Sequence, residues 1–356
     1  MKIACVGYMH GKGGAERQLL MLANALSERG NEVYLIALAD CNILYDVSPN
    51  VQVIDLSDSK NVIPNLLKRY LRLHKTFKSI KPDISIHFWI ATVFLTFFIK
   101  KKIRGKMVFA ERTDPGDQCY SGWIGVLRKR IFPKLDGFVF QTPYARDYFD
   151  EGIQKKSIVI GNSIKIKEEC YSKPCTQREK KIVSVGRLAD TKNQKLLIDA
   201  FGDFHKKFPD YKLEIYGEGP LRQKLQEQIN NLQIEDYAFL CGNTDEIFKE
   251  LYTATMFVLT SEFEGMPNAL IEAMALGVPC VSTDCRPGGA RMLIDNGRSG
   301  FITGLFDREE LVDKMSYIVE NPVRAAEMAE LGMNIRNTNN SDVIYDKWVI
   351  FLEQVL

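Results

Sequence analysis

Cys-x-x-Cys does not occur in this 356-residue chain, although it holds eight cysteines: Cys5, Cys41, Cys119, Cys170, Cys175, Cys241, Cys280 and Cys285. Spread along the length and mostly set in apolar runs, they suit reduced thiols in a cytosolic protein better than a disulfide framework or a zinc site. Long hydrophobic runs are missing too. The longest, residues 84–99, has 16 residues with His87 inside it, short of the roughly 20 that cross a bilayer as a helix. Residues 1–5 enter an apolar strand at once, without the basic region, apolar core and cleavage site of a signal peptide, so no export is expected. The dinucleotide fingerprint G-x-G-x-x-G fails, because Gly11 and Gly13 are followed by Glu16 where the third glycine belongs. No Walker A loop is found.

What is present is ordinary globular material, with 46% hydrophobic and 26% charged residues, 25 Gly and 13 Pro. That balance excludes disordered, collagenous and low-complexity classes. At roughly 150 residues per domain the length predicts two domains. The net charge of +2 conceals an asymmetry: residues 1–176 carry 27 Lys and Arg against 17 Asp and Glu, whereas residues 177–356 carry 20 against 28. Residues 60–134 alone hold 17 basic and 4 acidic side chains. Three clusters make up this block. Residues 65–81 read as a helix with Leu66, Leu67, Tyr70, Leu71, Leu73 and Phe77 on one side and Lys68, Arg69, Arg72, Lys75, Lys78 and Lys81 largely on the other. Lys100, Lys101, Lys102, Arg104 and Lys106 follow an apolar run with Trp89, Phe94, Phe97 and Phe98, and Arg128, Lys129 and Arg130 lie beside Trp123 and Ile124. Aromatic residues next to basic clusters suit an anionic membrane surface. Nucleic acid is not expected, since the rest of the chain is acidic and carries no nucleic-acid motif.

Short apolar strands alternate with helical patterns. In the first half strands are predicted at 2–9, 32–37, 51–56, 84–88, 107–111, 137–141 and 157–160, with helices at 15–29 and 65–79. In the second half strands are predicted at 182–185, 212–216, 238–240, 257–259 and 280–282, with helices at 194–208, 221–233, 245–253 and 268–276. Such alternation implies α/β architecture, parallel sheets covered by helices on both faces. The polar stretch KIKEECYSKPCTQREK has no periodicity and reads as the linker. The expected organisation is therefore a Rossmann-like domain over 1–165, a linker over 166–180 and a second Rossmann-like domain over 181–341. Ligands of such sheets bind outside the carboxyl ends of the strands.

Three loops stand out there. The stretch EFEGMPNALIEAMALGVP, beginning at Glu262, turns at Gly265 and opens a helix near Pro267, with Glu264 in the loop and Glu272 in the helix. Free N–H groups at that helix start suit an anion such as a diphosphate, and Glu272 is placed to accept hydrogen bonds from vicinal hydroxyls. Two carboxylates near a phosphate require compensating cations. Arg187 and Lys192, five apart in the loop after strand 182–185, supply them, a planar fork and a point charge. At the N-terminus the paired glycines Gly13 and Gly14 allow close backbone approach at a helix start.

Taken together, Gly13-Gly14-Ala15-Glu16-Arg17, Gly186-Arg187 with Lys192, and Glu264-Gly-Met-Pro-Asn-Ala-Leu-Ile-Glu272 resemble the retaining, nucleotide-sugar-dependent glycosyltransferases of family 4. The resemblance spans nearly the whole chain and implies the GT-B fold, two doubly wound parallel-sheet domains facing a cleft. Residues 110–115 and 284–289 resemble loops of the bacterial branch that extends lipid-linked or cell-surface glycans. The resemblance implies that Arg187 and Lys192 bind the donor diphosphate and that Glu264 lies against the donor sugar. It further implies that Gly265, Met266, Pro267 and Asn268 touch sugar hydroxyls and phosphate, that Glu272 holds the ribose and that Gly13 and Gly14 close the phosphate side. Many relatives carry a histidine in an N-terminal-domain loop that here reads Glu111-Arg112, so these two stand as candidates for acceptor or donor-sugar contacts, and His10 and His87 as alternatives. The C-terminal helix, 342–356, is expected to cross back onto the first domain with Trp348 as an anchor. No Asp-x-Asp occurs, so no metal or other cofactor is expected.

These implications add up to a hexosyltransferase of cell-surface polysaccharide biosynthesis. Its donor is expected to be a UDP-sugar, its acceptor a polyprenyl-linked glycan and its place the cytoplasmic face of the plasma membrane. Rival readings are a nucleotide-sugar 2-epimerase or a phosphorylase on the same fold, a catalytically silent glycan-assembly scaffold, and a nicotinamide dehydrogenase, for which Asp40 ends the second strand but the glycine fingerprint is missing.

Overall fold

A computed structural model describes the chain except residues 10–12, 39–40, 58–65, 101–104, 118–119, 165, 167–170, 172 and 176. His10, Gly11, Asp40, Cys119, Cys170, Lys101, Lys102, Arg104 and residues 167–170, 172 and 176 of the expected linker lie outside the described residues.

Two compact units emerge, the first formed by residues 1–163 with 341–356 and the second by residues 164–340. In the first, strands β1 (Lys2–Gly7), β2 (Glu32–Ala37), β3 (Val51–Asp55), β4 (Ile84–His87), β5 (Lys106–Ala110), β6 (Gly137–Phe140) and β7 (Ser157–Val159) pair in the order β3-β2-β1-β4-β5-β6-β7. The second holds β8 (Glu179–Val185), β9 (Lys212–Tyr216), β10 (Ala238–Gly242), β11 (Ala254–Leu259), β12 (Cys280–Thr283) and β13 (Phe301–Thr303), ordered β10-β9-β8-β11-β12-β13. Every pairing is parallel. Both sheets are thus doubly wound, and in each the order reverses between the first and fourth strands, β1 and β4 or β8 and β11. That reversal is the position where such sheets open a ligand crevice at their carboxyl ends.

Burial on both faces explains why the strands read as apolar runs: Ile3, Cys5, Ile84, Ile86 and Val108 are wholly buried in the first unit, and Ile182, Val183, Phe257 and Val258 in the second. Gly7 permits close packing at the end of β1, since a Cβ there would lie 2.6 Å from both Leu19 and Trp89. Helix Ser341–Val355 packs into the first core through Ile344, Tyr345, Trp348, Phe351 and Leu352. It is tied to the first helix, Gly14–Glu28, by Arg29, which donates to Asp346 at 2.9 Å and Asp342 at 3.1 Å.

Sequence periodicity misses helix Ile90–Lys100, strand β13 and helices Arg308–Glu320 and Pro322–Gly332. It also misjudges the basic helix, Leu66–Ile80. Leu73, Phe77 and Ile80 face the core, but Leu67 and Leu71, expected beside them, are 66% and 56% exposed among the basic residues.

Candidate functional site

In the second unit the chemistry gathers at the reversal between β8 and β11. After β8 the chain passes Gly186 and Arg187 into a 3-10 turn, Asp190–Lys192. Asn193 then takes the left-handed conformation at φ 45° and caps helix Gln194–Lys207. A polar cap in that conformation is a tolerated exception to the glycine preference. After β11, Thr260 donates to the Lys192 carbonyl at 3.1 Å and the Glu262 amide to the Thr191 carbonyl at 2.9 Å. The two loops are therefore laced together by backbone-directed bonds.

This lacing brings Lys192 and Glu264 into an ion pair, and Ser261 Oγ donates to the same carboxylate oxygen at 3.0 Å. Their side chains keep 24% and 15% of their surface exposed, so both remain reachable. Arg187 stands exposed nearby in sequence, and its guanidinium makes no hydrogen bond or ion pair among the described residues. The Glu264 amide donates to the Arg286 carbonyl at 2.8 Å, and Gly289 packs so tightly that a Cβ would lie 2.2 Å from the Gly265 carbonyl. Helix Asn268–Ala275 follows. Its N-cap is Pro267, which offers no capping side chain to the first-turn amides. Met266 and Glu272 are buried, and Asn268 is half-buried at the helix start.

The sequence reading passed over a fourth loop, Gly217-Glu218-Gly219-Pro220, after β9. The Leu188 amide donates to the Glu218 carbonyl at 3.1 Å, and Cβ atoms at Gly217 and Gly219 would lie 2.1 Å from the Gly186 carbonyl and 2.3 Å from the Leu188 carbonyl. Two glycines directly after a predicted strand were the available signal.

In the first unit Gly13 is the N-cap of helix Gly14–Glu28, again without a capping side chain. A second polar group forms where β4 to β7 end. Glu111, directly after β5, is 2% exposed. Its Oε1 accepts from the Thr113 hydroxyl at 2.9 Å, Tyr120 at 2.8 Å and the amides of Arg112 and Thr113 at 3.1 Å. Its Oε2 is enclosed without a partner. Burial pushes the carboxyl above its usual range against the pull of these donors. The Glu111 carboxyl therefore holds its own loop rather than facing outward, which the sequence did not foresee.

Arg112 sits beside it. Its Nη1 donates to Asn162 Oδ1 at 3.0 Å, and its guanidinium lies 3.9 Å from the centre of the Phe88 ring and 5.9 Å from that of Trp348. Phe88 and Trp348 stack at 6.3 Å. The sequence named Arg112 and Trp348 separately, and their meeting with Phe88 and Asn162 was not anticipated. His87 is wholly buried between Thr92 at 3.0 Å and Ser85 at 3.1 Å, with its pKa driven down to about 3 by burial. A neutral, satisfied histidine of this kind is structural.

Two family models divide the chain between them: "Glycosyltransferase Family 4" matches residues 12–168 and "Glycosyl transferases group 1" residues 168–337. The chain belongs to the GT-B glycosyltransferases. It is 28% identical to an uncharacterized glycosyltransferase of Methanocaldococcus jannaschii over 68% of this chain and 69% of that one. It is 25% identical, over 90% of this chain and 89% of the other, to a Campylobacter jejuni enzyme. That enzyme is named as a GalNAc-GalNAc-diNAcBac-PP-undecaprenol α-1,4-N-acetyl-D-galactosaminyltransferase. In fold it is similar to the Anabaena protein HepE, solved in complex with UDP and glucose, with TM-score 0.83, 18% identity and 99% of each chain covered. This glycosyltransferase thus carries its Lys192–Glu264 pair at the β8–β11 reversal of a GT-B fold.

Proposed function

We propose that this glycosyltransferase moves a hexose or N-acetylhexosamine from a UDP-sugar to a polyprenyl-linked glycan with retention of configuration, in cell-surface polysaccharide biosynthesis. The observation that carries the reading is the Lys192–Glu264 pair, exposed enough to be exchanged, beside the uncapped start of helix Asn268–Ala275. A donor diphosphate entering there takes the Lys192 ammonium and Arg187 as cations and first-turn amides as donors, which frees Glu264 for sugar hydroxyls. Gly265, Met266, Pro267 and Asn268 line that approach, and Glu272 holds the ribose. Gly13 and Gly14 offer the start of the first helix to phosphate. The names of the Campylobacter relative, with its undecaprenol diphosphate acceptor, and of the UDP-bound Anabaena structure support this choice of substrates.

In the reaction the bond from the anomeric carbon to the diphosphate oxygen breaks. The acceptor hydroxyl oxygen bonds to that carbon on the same face, and its proton passes to the departing phosphate. No side-chain nucleophile is needed. Lys192 and Arg187 offset the charge that develops on the leaving group, a preorganised electrostatic role that replaces a divalent ion.

The same reading places the enzyme on the cytoplasmic face of the plasma membrane. Leu67 and Leu71 stand exposed among Lys68, Arg72, Lys75 and Lys78, and Phe98, Trp123 and Val126 are 57%, 69% and 52% exposed. Lys129 and Arg130 flank the latter two in sequence. Arg128 does not join them: it is buried, donating to the Pro115 carbonyl at 2.8 Å and lying over Tyr120. No described helix is long and apolar enough to cross a membrane, which suits attachment by exposed side chains.

The test is nucleotide release from a panel of UDP- and GDP-sugars, with and without membrane extract and with chelator. The reading expects release from one UDP-sugar, raised by extract and unaffected by chelator. Release from every donor without extract, or reversible loss in chelator, contradicts it.

A further inference from the structure

Arg112 is a guanidinium held largely inside the first unit without a counter-ion. Among the described residues no carboxylate forms an ion pair with it, and of its nitrogens only Nη1 has a partner, Asn162. Nε is enclosed and unbonded, whereas Nη2 is neither bonded nor enclosed. Glu111, next in sequence, spends Oε1 on Thr113, Tyr120 and two amides. The cation instead rests on the Phe88 ring, with Trp348 beside both. Burial is what weighs most on the Arg112 cation, and the Glu111 carboxyl beside it acts only through space, without an ion pair.

A desolvated cation is costly unless an anion or several acceptors offset it, and ring contacts offset only part of that cost. A fixed guanidinium with its outer nitrogen open is a ready half of a charge-assisted pair, and its planar fork suits phosphate oxygens. We infer that Arg112, oriented by Phe88, Trp348 and Asn162, binds a phosphate oxygen of a diphosphate substrate through its open Nη2 edge. Two diphosphates are in play, the acceptor's prenyl diphosphate and the donor's nucleoside diphosphate; that choice rests on the function proposed above, whereas the anion site itself rests on the geometry of Arg112.

The experiment is calorimetric titration of the full-length protein with farnesyl diphosphate and with UDP, and with farnesol and uridine as phosphate-free counterparts. Wild type is compared with Arg112→Gln, Arg112→Lys and Lys192→Ala. Arg112→Gln is expected to weaken one diphosphate at least tenfold and leave its phosphate-free counterpart unchanged, with Arg112→Lys intermediate because it keeps the charge and loses the fork. Loss confined to farnesyl diphosphate assigns the acceptor phosphate, and loss confined to UDP the donor phosphate. Affinities within twofold of wild type for both diphosphates overturn the inference, as does a wild type that binds neither. Should Arg112→Gln fail to fold, Arg112→Lys decides by the same criteria. Failure of the donor reading shows separately, as UDP binding untouched by Lys192→Ala.

Discussion

Lys192 in the second unit and Arg112 in the first are both basic side chains at the carboxyl ends of a doubly wound sheet, yet they are held in opposite ways. Lys192 is a flexible ammonium paired with Glu264 and partly open to water. Arg112 is a flat guanidinium laid on Phe88, bonded to Asn162 and without a carboxylate partner among the described residues. A paired, half-exposed cation can trade its carboxylate for a phosphate with little rearrangement, and the carboxylate gains freedom to bind hydroxyls. A stacked guanidinium cannot swing away, so it fixes where an anion must come. The comparison separates an exchangeable site from an oriented one within the same strand order.

The largest effect is expected where the exchangeable pair is broken. Lys192→Ala should cost at least about 100-fold in turnover, as removal of one preorganised donor does elsewhere. Glu264→Gln should cost a similar factor, and the double variant less than the product of the two, because each single change leaves the other charge without its partner. Steady-state nucleotide release from the preferred donor measures all three, and strict multiplicativity would show that the pair does not act as a unit.

Trp348→Ala removes one of the two rings beside the oriented guanidinium. Trp348 is 2% exposed within the first core, so its truncation is expected to destabilise that unit by about 3–5 kcal/mol. Denaturant unfolding followed by circular dichroism should show the loss, and a change below about 1 kcal/mol would mean the site relaxes freely.

The smallest effect concerns pH. Burial holds His87 neutral, lowering its pKa from 6.5 to about 3. Between those values the unfolded chain binds a proton that the folded chain refuses, so this contribution to stability is full above pH 6.5 and is lost as the pH falls towards 3. Melting temperatures of wild type and His87→Gln should therefore converge as the pH is lowered from about 7.5 to about 5; a constant difference would show that the ring is not neutral in the fold.

Much of the fold could be read from residue order because strands buried on both faces leave unmistakable apolar runs, as in β1, β2 and β11. Helix Ile90–Lys100 escaped for the opposite reason. Val93 and Ile99 are wholly buried and so are Thr92 and Thr96, while Phe98 is exposed, so polarity does not follow the helix face. Leu67 and Leu71 misled because periodicity assumes that apolar side chains face the core, and here they share the solvent face with Lys68 and Arg72. In the site, Lys192 and Glu264 could be picked out as complementary charges in neighbouring loops, but their direct pairing depends on the bonds of Thr260 and Glu262 to the other loop. The setting of Arg112 was beyond sequence reasoning, since Phe88, Asn162 and Trp348 are distant along the chain and meet only through the ends of β4 and β7 and the C-terminal helix.

The central claim is that Lys192 receives the nucleotide diphosphate, and calorimetric titration of UDP into wild type, Lys192→Ala and Glu264→Gln tests it most directly. The account predicts that Lys192→Ala weakens UDP at least about tenfold, roughly 1.4 kcal/mol, while Glu264→Gln binds UDP as well as wild type or better, because a competing carboxylate has been removed. Equal affinity for UDP in wild type and Lys192→Ala would contradict it.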